Sequence, residues 1–418
     1  MPFTEPWSKK HKRVTKASAG GVPFSLSNSY AQPLTMGELA AFTRARGDQA
    51  LLDEYANHAL GYTANGGSAD LREEIAKLYG AHITAEHVLV FAGAQVALQT
   101  AALALAQDCH SIVFTPGYQS TVEAPTHAGS TVTRIELSAA RGWQIDPAAV
   151  EAAIVPGRTR YMVINEPYNP AGTLMSKERQ AALVALARRH GITILSDEVY
   201  RLLEHDASDR LPAMADLYER GISAVTMSKP WGACGVTIGW LAFADAAAVR
   251  QRLVDVQYFG TACPSRASEL QAMMVLRSSD AILARNLTLI RRNVAALAAF
   301  VGAYPDLFTW VRPKAGAVAF LRFEGPLTSE ELGRRMAAAG IGMKPAYCLN
   351  DGGVASPGRS STRNDAAVGG AAAAAASAAR QAHRTAASIA GGTGRAGSCR
   401  CQQQGERRHR ARGPRSNY

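Results

Sequence analysis

The fold turns on the stretch Ala224-Val225-Thr226-Met227-Ser228-Lys229-Pro230. Its first residues are a short apolar run of the kind that makes a strand, and Pro230 ends the ladder because it has no N–H to give. Gly232, Gly235 and Gly239 follow, which predicts Lys229 on a sharp turn at the strand's C-terminal end. In an α/β sheet that end is where ligands bind. A lysine amine there, beside the hydroxyls of Thr226 and Ser228, has the chemistry to form a Schiff base with a carbonyl compound that carries a phosphate. Taken alone, a Ser-Lys pair fits a solvated surface lysine better, so the residues around it must decide.

Outward from this stretch, apolar runs alternate with helical patterns. Val88-Leu89-Val90-Phe91 leads into Ala92-Gly93-Ala94-Gln95 and a helix over 96–106, and Ile112-Val113-Phe114 leads into Thr115-Pro116-Gly117-Tyr118. Residues 131–137 alternate as a strand, 161–164 end in Asn165, and 192–195 end in Ser196-Asp197. Helical periodicity marks 36–42, 51–58 and 177–190, and Ser68 is placed to cap a helix whose first turn is acidic. Apolar strands alternating with helices predict an α/β fold with a mostly parallel sheet covered on both faces.

Four segments follow. Residues 1–35 read as an N-terminal arm with a short strand at 24–27, and 36–260 as a large domain. Residues 261–350 read as a smaller α+β domain, with helix over 267–304 and 329–339 and strands near 310 and 317–321. From 351 to 418 there is no Leu, Phe, Met or Trp, and six alanines run consecutively at 371–376. A segment of that composition cannot bury enough apolar surface to offset its ordering and is expected to be disordered. It also resembles a GC-rich gene read out of frame.

Composition excludes several classes. Of the net charge of +11 over 418 residues, +8 lies in 351–418, where eleven Arg face three acids, so the first 350 residues carry only +3 and no nucleic-acid role is expected. The six cysteines lack metal-ligand spacing or a disulfide framework, which fits a reducing, cytoplasmic setting and no metal. No apolar segment follows the basic cluster Lys9, Lys10, Lys12, Arg13, and no stretch is long enough to span a membrane.

Strand ends thus present Gly93-Ala94-Gln95, Tyr118, Asn169, Asp197 and Lys229 in order. Residues 25–345 resemble a fold-type I enzyme dependent on pyridoxal 5′-phosphate (PLP), of the class I/II aminotransferase family. The resemblance is carried by Asn165-Glu166-Pro167-Tyr168-Asn169-Pro170-Ala171-Gly172-Thr173, by Ser196-Asp197-Glu198-Val199-Tyr200, and by Ser228-Lys229 with Gly235-Val236-Thr237-Ile238-Gly239-Trp240. It implies a seven-stranded sheet between helices. It also implies an internal aldimine at Lys229, Asp197 at the ring nitrogen, and Asn169 and Tyr200 at the phenolic oxygen. The backbone of Gly93, Ala94 and Gln95 would hold the phosphate with Thr226 and Ser228. Tyr118 would stack on the ring or else pack as a loop tyrosine, and Tyr62 would reach a partner's phosphate in a homodimer or else be an ordinary turn residue.

The implied reaction moves an amino group between an amino acid and a 2-oxo acid, with Lys229, Asp197 and Tyr200 as catalytic residues. Elimination, cyclisation or oxidation of an amino acid, as in a capreomycidine-synthase-like branch, is the alternative, and a PLP fold without turnover is another. Two departures from the family stand out. Thr237 replaces an arginine that pairs with the phosphate, and no carboxylate-gripping arginine in an Arg-Ile/Val-Gly/Ser-Phe context follows Lys344-Pro345; Arg359 and Arg363 are the nearest candidates. The smaller domain is accordingly expected to be incomplete.

Overall fold

The computed structural model describes residues 5–9, 11–12, 23–261 and 263–349, together with the backbone of 365–369. Its central sheet has strands Val88–Phe91 (β1), His110–Thr115 (β2), Thr131–Glu136 (β3), Thr159–Asn165 (β4), Thr193–Asp197 (β5), Gly221–Thr226 (β6) and Gly239–Phe243 (β7). They lie in the order β1-β7-β6-β5-β4-β2-β3. Only β7 runs antiparallel to its neighbours, and every other pairing is parallel. The C-terminal ends of β1, β2, β4, β5 and β6 therefore share one edge. Register aligns Asn165 with Asp197, and Asp197 with Ala224, which sets the functional candidates side by side along it.

Both faces of this sheet are dry. Successive residues of β5, Ile194 and Leu195, enter different apolar clusters, and Ile112 and Val113 of β2 do the same. The helix Ala94–Leu105 covers one face with Leu98 and Ala101, and the helix Lys177–His190 covers the other with Leu183 and Leu186. Each fully buried Leu or Ile contributes about 1.5–3 kcal/mol relative to exposure, so the sheet is the rigid part of the molecule.

Local signals mostly act as the sequence suggests. Thr35 caps the helix Met36–Ala45 in a capping box with Glu38, its side chain accepting from Glu38 N at 3.1 Å. Ser68 does not follow expectation. It occupies the N-cap position of Ala69–Ala76 but makes no side-chain cap; its Oγ accepts from Arg266 Nη1 at 3.1 Å and its N–H donates to Glu269 at 2.8 Å. A charged partner across the fold outcompetes the local backbone donor.

The expected helix over 267–304 is two, Arg266–Arg277 and Ser279–Ala303. Beyond them an antiparallel sheet has the order Lys344–Pro345, Asp365–Gly369, Val318–Phe323, Phe308–Trp310. Its second strand corrects the reading that ended the ordered chain near 350. Pairing is carried by backbone N–H and C=O groups, which the composition of 365–369 does not report; the rest of 351–418 lies outside the described residues. At the other end of the chain, Phe24–Ser25 pairs in parallel with Ile341–Gly342.

Candidate active site

Lys229 leaves the end of β6 just before the loop that Pro230 begins, and its Nζ donates to Ser29 Oγ at 2.8 Å. The ammonium also lies 5.6 Å above the ring of Tyr30. Burial lowers the lysine's pKa, Cys234 and Asp197 oppose that shift, and Lys344 adds to it. The result is an amine closer to deprotonation than a surface lysine.

Asp197 ends β5 and is 3% exposed. Burial pushes its carboxyl up to about 7, against the opposing pull of the Val199 N–H and the Lys229 ammonium. Such a carboxyl is short of positive partners and would gain greatly from one. Asn165, at the end of β4, braces this corner: its Nδ2 donates to the Asp197 carbonyl at 2.7 Å, and its Oδ1 accepts from Asn169 N at 2.6 Å. That brace fixes the loop carrying Asn169 to the strand end carrying Asp197.

Tyr200 is buried, and its phenol is pushed well above its ordinary range by burial, with Asp197 nearby adding to the shift and the Ser29 hydroxyl opposing it. It is a neutral donor at any physiological pH.

The turn after β1 has Gly93 at φ 93°, the N-cap of the helix Ala94–Leu105, so the first N–H groups of that helix face the site. β7 runs directly beneath this turn. A Cβ on Gly239 would lie 2.4 Å from Ala94 N, so only glycine allows the approach. Thr226 Oγ1 and Ser228 Oγ are 3.2 Å apart across the end of β6. Tyr118 N-caps the helix Gln119–His127 and donates through its OH to Gln95 Oε1 at 2.9 Å, closing the rim over the turn. Thr237 is exposed at φ 56° and donates to the Gly235 carbonyl at 3.3 Å, a conformation that costs a β-branched residue about 1–3 kcal/mol.

The structure thus gathers Gly93, Ala94, Gln95, Tyr118, Asn169, Asp197, Tyr200, Thr226, Ser228 and Lys229 at one sheet edge. Tyr62 is not among them: it is 99% exposed. Arg359 and Arg363 lie outside the described residues. Sequence reasoning missed Ser29, Tyr30 and the brace Asn165. The first two belong to an arm without periodicity, and the pairing at 24–25 together with the contacts of Gln32 and Leu34 holds them over Lys229.

Residues 33–363 match the sequence model of the aminotransferase class I and II family. The arginine–pyruvate transaminase of Pseudomonas aeruginosa is 31% identical over 217 residues, 50% of this chain and 54% of that protein. The capreomycidine synthase of Streptomyces vinaceus is 27% identical over 227 residues, 54% of this chain and 57% of that one. The chain spans a little over half the length of these curated relatives. In fold, it resembles a PLP-dependent aminotransferase from Streptococcus suis with a TM-score of 0.82 at 22% identity, over 92% of this chain and 98% of that one.

Proposed function

Because the chain belongs to the class I and II aminotransferase family, we propose that it moves an amino group between an amino acid and a 2-oxo acid with PLP as cofactor. The observation that carries the reading is the sheet edge where the buried Asp197 carboxyl acts on the charge of both Lys229 and Tyr200. The residues suit the cofactor. The open glycine turn at Gly93, where a Cβ would meet nothing within 4 Å, suits a phosphate, and the buried Asp197 carboxyl suits a protonated ring nitrogen.

When bound, the cofactor supplies an electron sink for the charge left at the substrate Cα. Asp197 holds the proton on the ring nitrogen through a charge-assisted hydrogen bond. Tyr200 and Asn169 donate to the phenolic oxygen, and Tyr118 covers the ring face. The N–H groups at Gly93, Ala94 and Gln95, with the hydroxyls of Thr226 and Ser228, bind the phosphate. Lys229 would anchor the cofactor, and its amine, which burial makes easier to deprotonate than a surface lysine's, would take up the proton from the substrate Cα and deliver it to the cofactor. The buried Asp197 and Tyr200 beside it limit the access of water to that transfer.

The test is transfer of nitrogen-15 from a labelled amino acid to an added 2-oxo acid by the purified protein. Labelled product in the second acid supports the proposal. Labelled ammonia without transfer would favour a second reading, another reaction of amino acids on the same residues, which the likeness to capreomycidine synthase supports.

We place the site in a homodimer. Leu60 (95% exposed), Tyr62, Tyr258 and Phe259 (89% exposed) leave large apolar groups in solvent, and Thr63 Oγ1 donates to the Pro264 carbonyl at 2.6 Å, tying their two segments together. A second copy covers that patch and receives Tyr62 at its phosphate. Tyr62→Phe is expected to weaken cofactor binding roughly tenfold, the worth of one hydrogen bond to a charged group, in a titration followed by absorbance. Phe259→Asp is expected to shift sedimentation toward the monomer. Among the described residues no helix is long and apolar enough to cross a membrane, and the unpaired cysteines favour the cytoplasm.

A further inference from the structure

The arm at 24–34 is fixed at both ends. On one side Phe24 N donates to the Gly340 carbonyl at 3.1 Å and Leu26 N to the Gly342 carbonyl at 2.6 Å, beside the strand that carries Lys344. On the other, Leu34 N donates to the Gly232 carbonyl at 3.2 Å, three residues past Lys229, and Gln32 O accepts from Arg285 of the long helix at 3.0 Å. Between these anchors the chain crosses over Lys229 and offers it two partners, the Ser29 hydroxyl at 2.8 Å and the Tyr30 ring at 5.6 Å. The Ser29 hydroxyl also acts on the buried phenol of Tyr200, drawing it back toward its ordinary range. One hydroxyl therefore joins the lysine, the buried phenol and a segment held by the C-terminal part of the chain.

We propose that Ser29 is a positioning residue that holds the free amine of Lys229 as an ammonium against Tyr200, with Tyr30 beneath it. This inference rests on the assignment of Lys229 as the cofactor-binding lysine. Ser29 Oγ accepts from the charged amine, and the ring of Tyr30 presents its negative face to it, so both favour the protonated form. An amine engaged in a double bond to carbon keeps at most one N–H, against three on the ammonium. The two arm residues thus stabilise the free lysine over the engaged one. Because the arm is paired with 341–342, movement of that strand carries Ser29 with it, and the state of the lysine follows the position of that strand.

The charged and titratable groups facing the amine are Asp197 from β5, Cys234 from the turn after β6, and Lys344 from the four-stranded sheet. The phenols of Tyr30 and Tyr200 stand beside the amine as well. Changes at Ser29 reach Tyr200 but leave Asp197, Cys234 and Lys344 in place, and the burial-raised phenol of Tyr200 stays neutral near pH 8, so the contribution of the hydroxyl is separable. The full-length protein, stripped of cofactor, is treated with formaldehyde and cyanoborohydride across a pH series, and methylation of Lys229 and Lys344 is read by peptide mass spectrometry. Only the neutral amine reacts. In Ser29→Ala the Lys229 profile is expected to move to lower pH, with labelling at pH 8 about three- to tenfold faster, the effect of removing one hydrogen bond to a charged group. Tyr30→Leu moves it the same way, and Ser29→Thr, which keeps a hydroxyl, restores the wild-type profile.

A Lys229 profile unmoved by Ser29→Ala overturns the proposal. So does a parallel rise at Lys344, which would report a loosened fold in place of a lost hydrogen bond. Protection of Lys229 by added PLP, read in the same digests, tests the functional assignment on its own. Protection without a shifted profile in Ser29→Ala overturns only the role of Ser29, and a shifted profile without protection overturns only the assignment of the lysine.

Discussion

Lys229→Ala is expected to lose amino transfer by roughly 10,000-fold or more while the fold survives. General-base proton transfer alone is worth about 100- to 10,000-fold, and the covalent anchor is lost with it. The neighbouring Lys344 cannot substitute: it lies on the strand Lys344–Pro345 of the other sheet, whereas Ser29, Asp197 and Cys234 all face the amine at position 229. Turnover and the visible absorbance of the dialysed protein check the expectation. A variant that retains both near wild-type levels would remove Lys229 from the reaction.

Asp197→Asn is expected to slow turnover about 30- to 1,000-fold while PLP remains bound. A neutral amide cannot hold a proton on the ring nitrogen, and losing that charge-assisted partner costs about 2–4 kcal/mol in the transition state. The same substitution has an opposite effect on the cofactor-free protein. Burial raises this carboxyl from 3.8 to about 7, so the folded chain binds more protons than the unfolded one between those pH values. Its contribution to stability is then intact below about pH 4 and lost as pH rises through about 7. Asparagine escapes that loss, and Asp197→Asn is expected to be more stable than wild type at pH 8, by about 1–3 kcal/mol, yet no more stable at pH 4. Urea unfolding at the two pH values measures it.

These effects were legible because the chemistry narrows the residues so far. A carboxylate at one strand end and a lysine just past the next, after short apolar runs, have few structural uses, so β4, β5 and β6 with Asp197 and Lys229 could be read directly, whereas the brace formed by Asn165 could not. β7 was harder. Gly239-Trp240-Leu241-Ala242-Phe243 follows a glycine-rich turn and carries no sign that it inserts between β1 and β6 in the opposite direction, because that choice depends on long-range pairing. Ser29 and Tyr30 were illegible for a related reason: their place over Lys229 is set by contacts with residues far away in sequence, Lys229 itself lying 200 positions beyond Ser29. Asp365–Gly369 was missed because a strand can be held by backbone alone in a segment whose composition argues against order.

The account rests on Lys229 as the residue that holds the cofactor. The full-length protein, loaded with PLP and reduced with borohydride, fixes the pyridoxyl group to whichever amine carries it, and a peptide map then locates it. The expected result is a single modified peptide with the label at Lys229, absent from Lys229→Ala. A label at Lys344 or at any other lysine, with Lys229 unmodified, would contradict the assignment on which the mechanism stands.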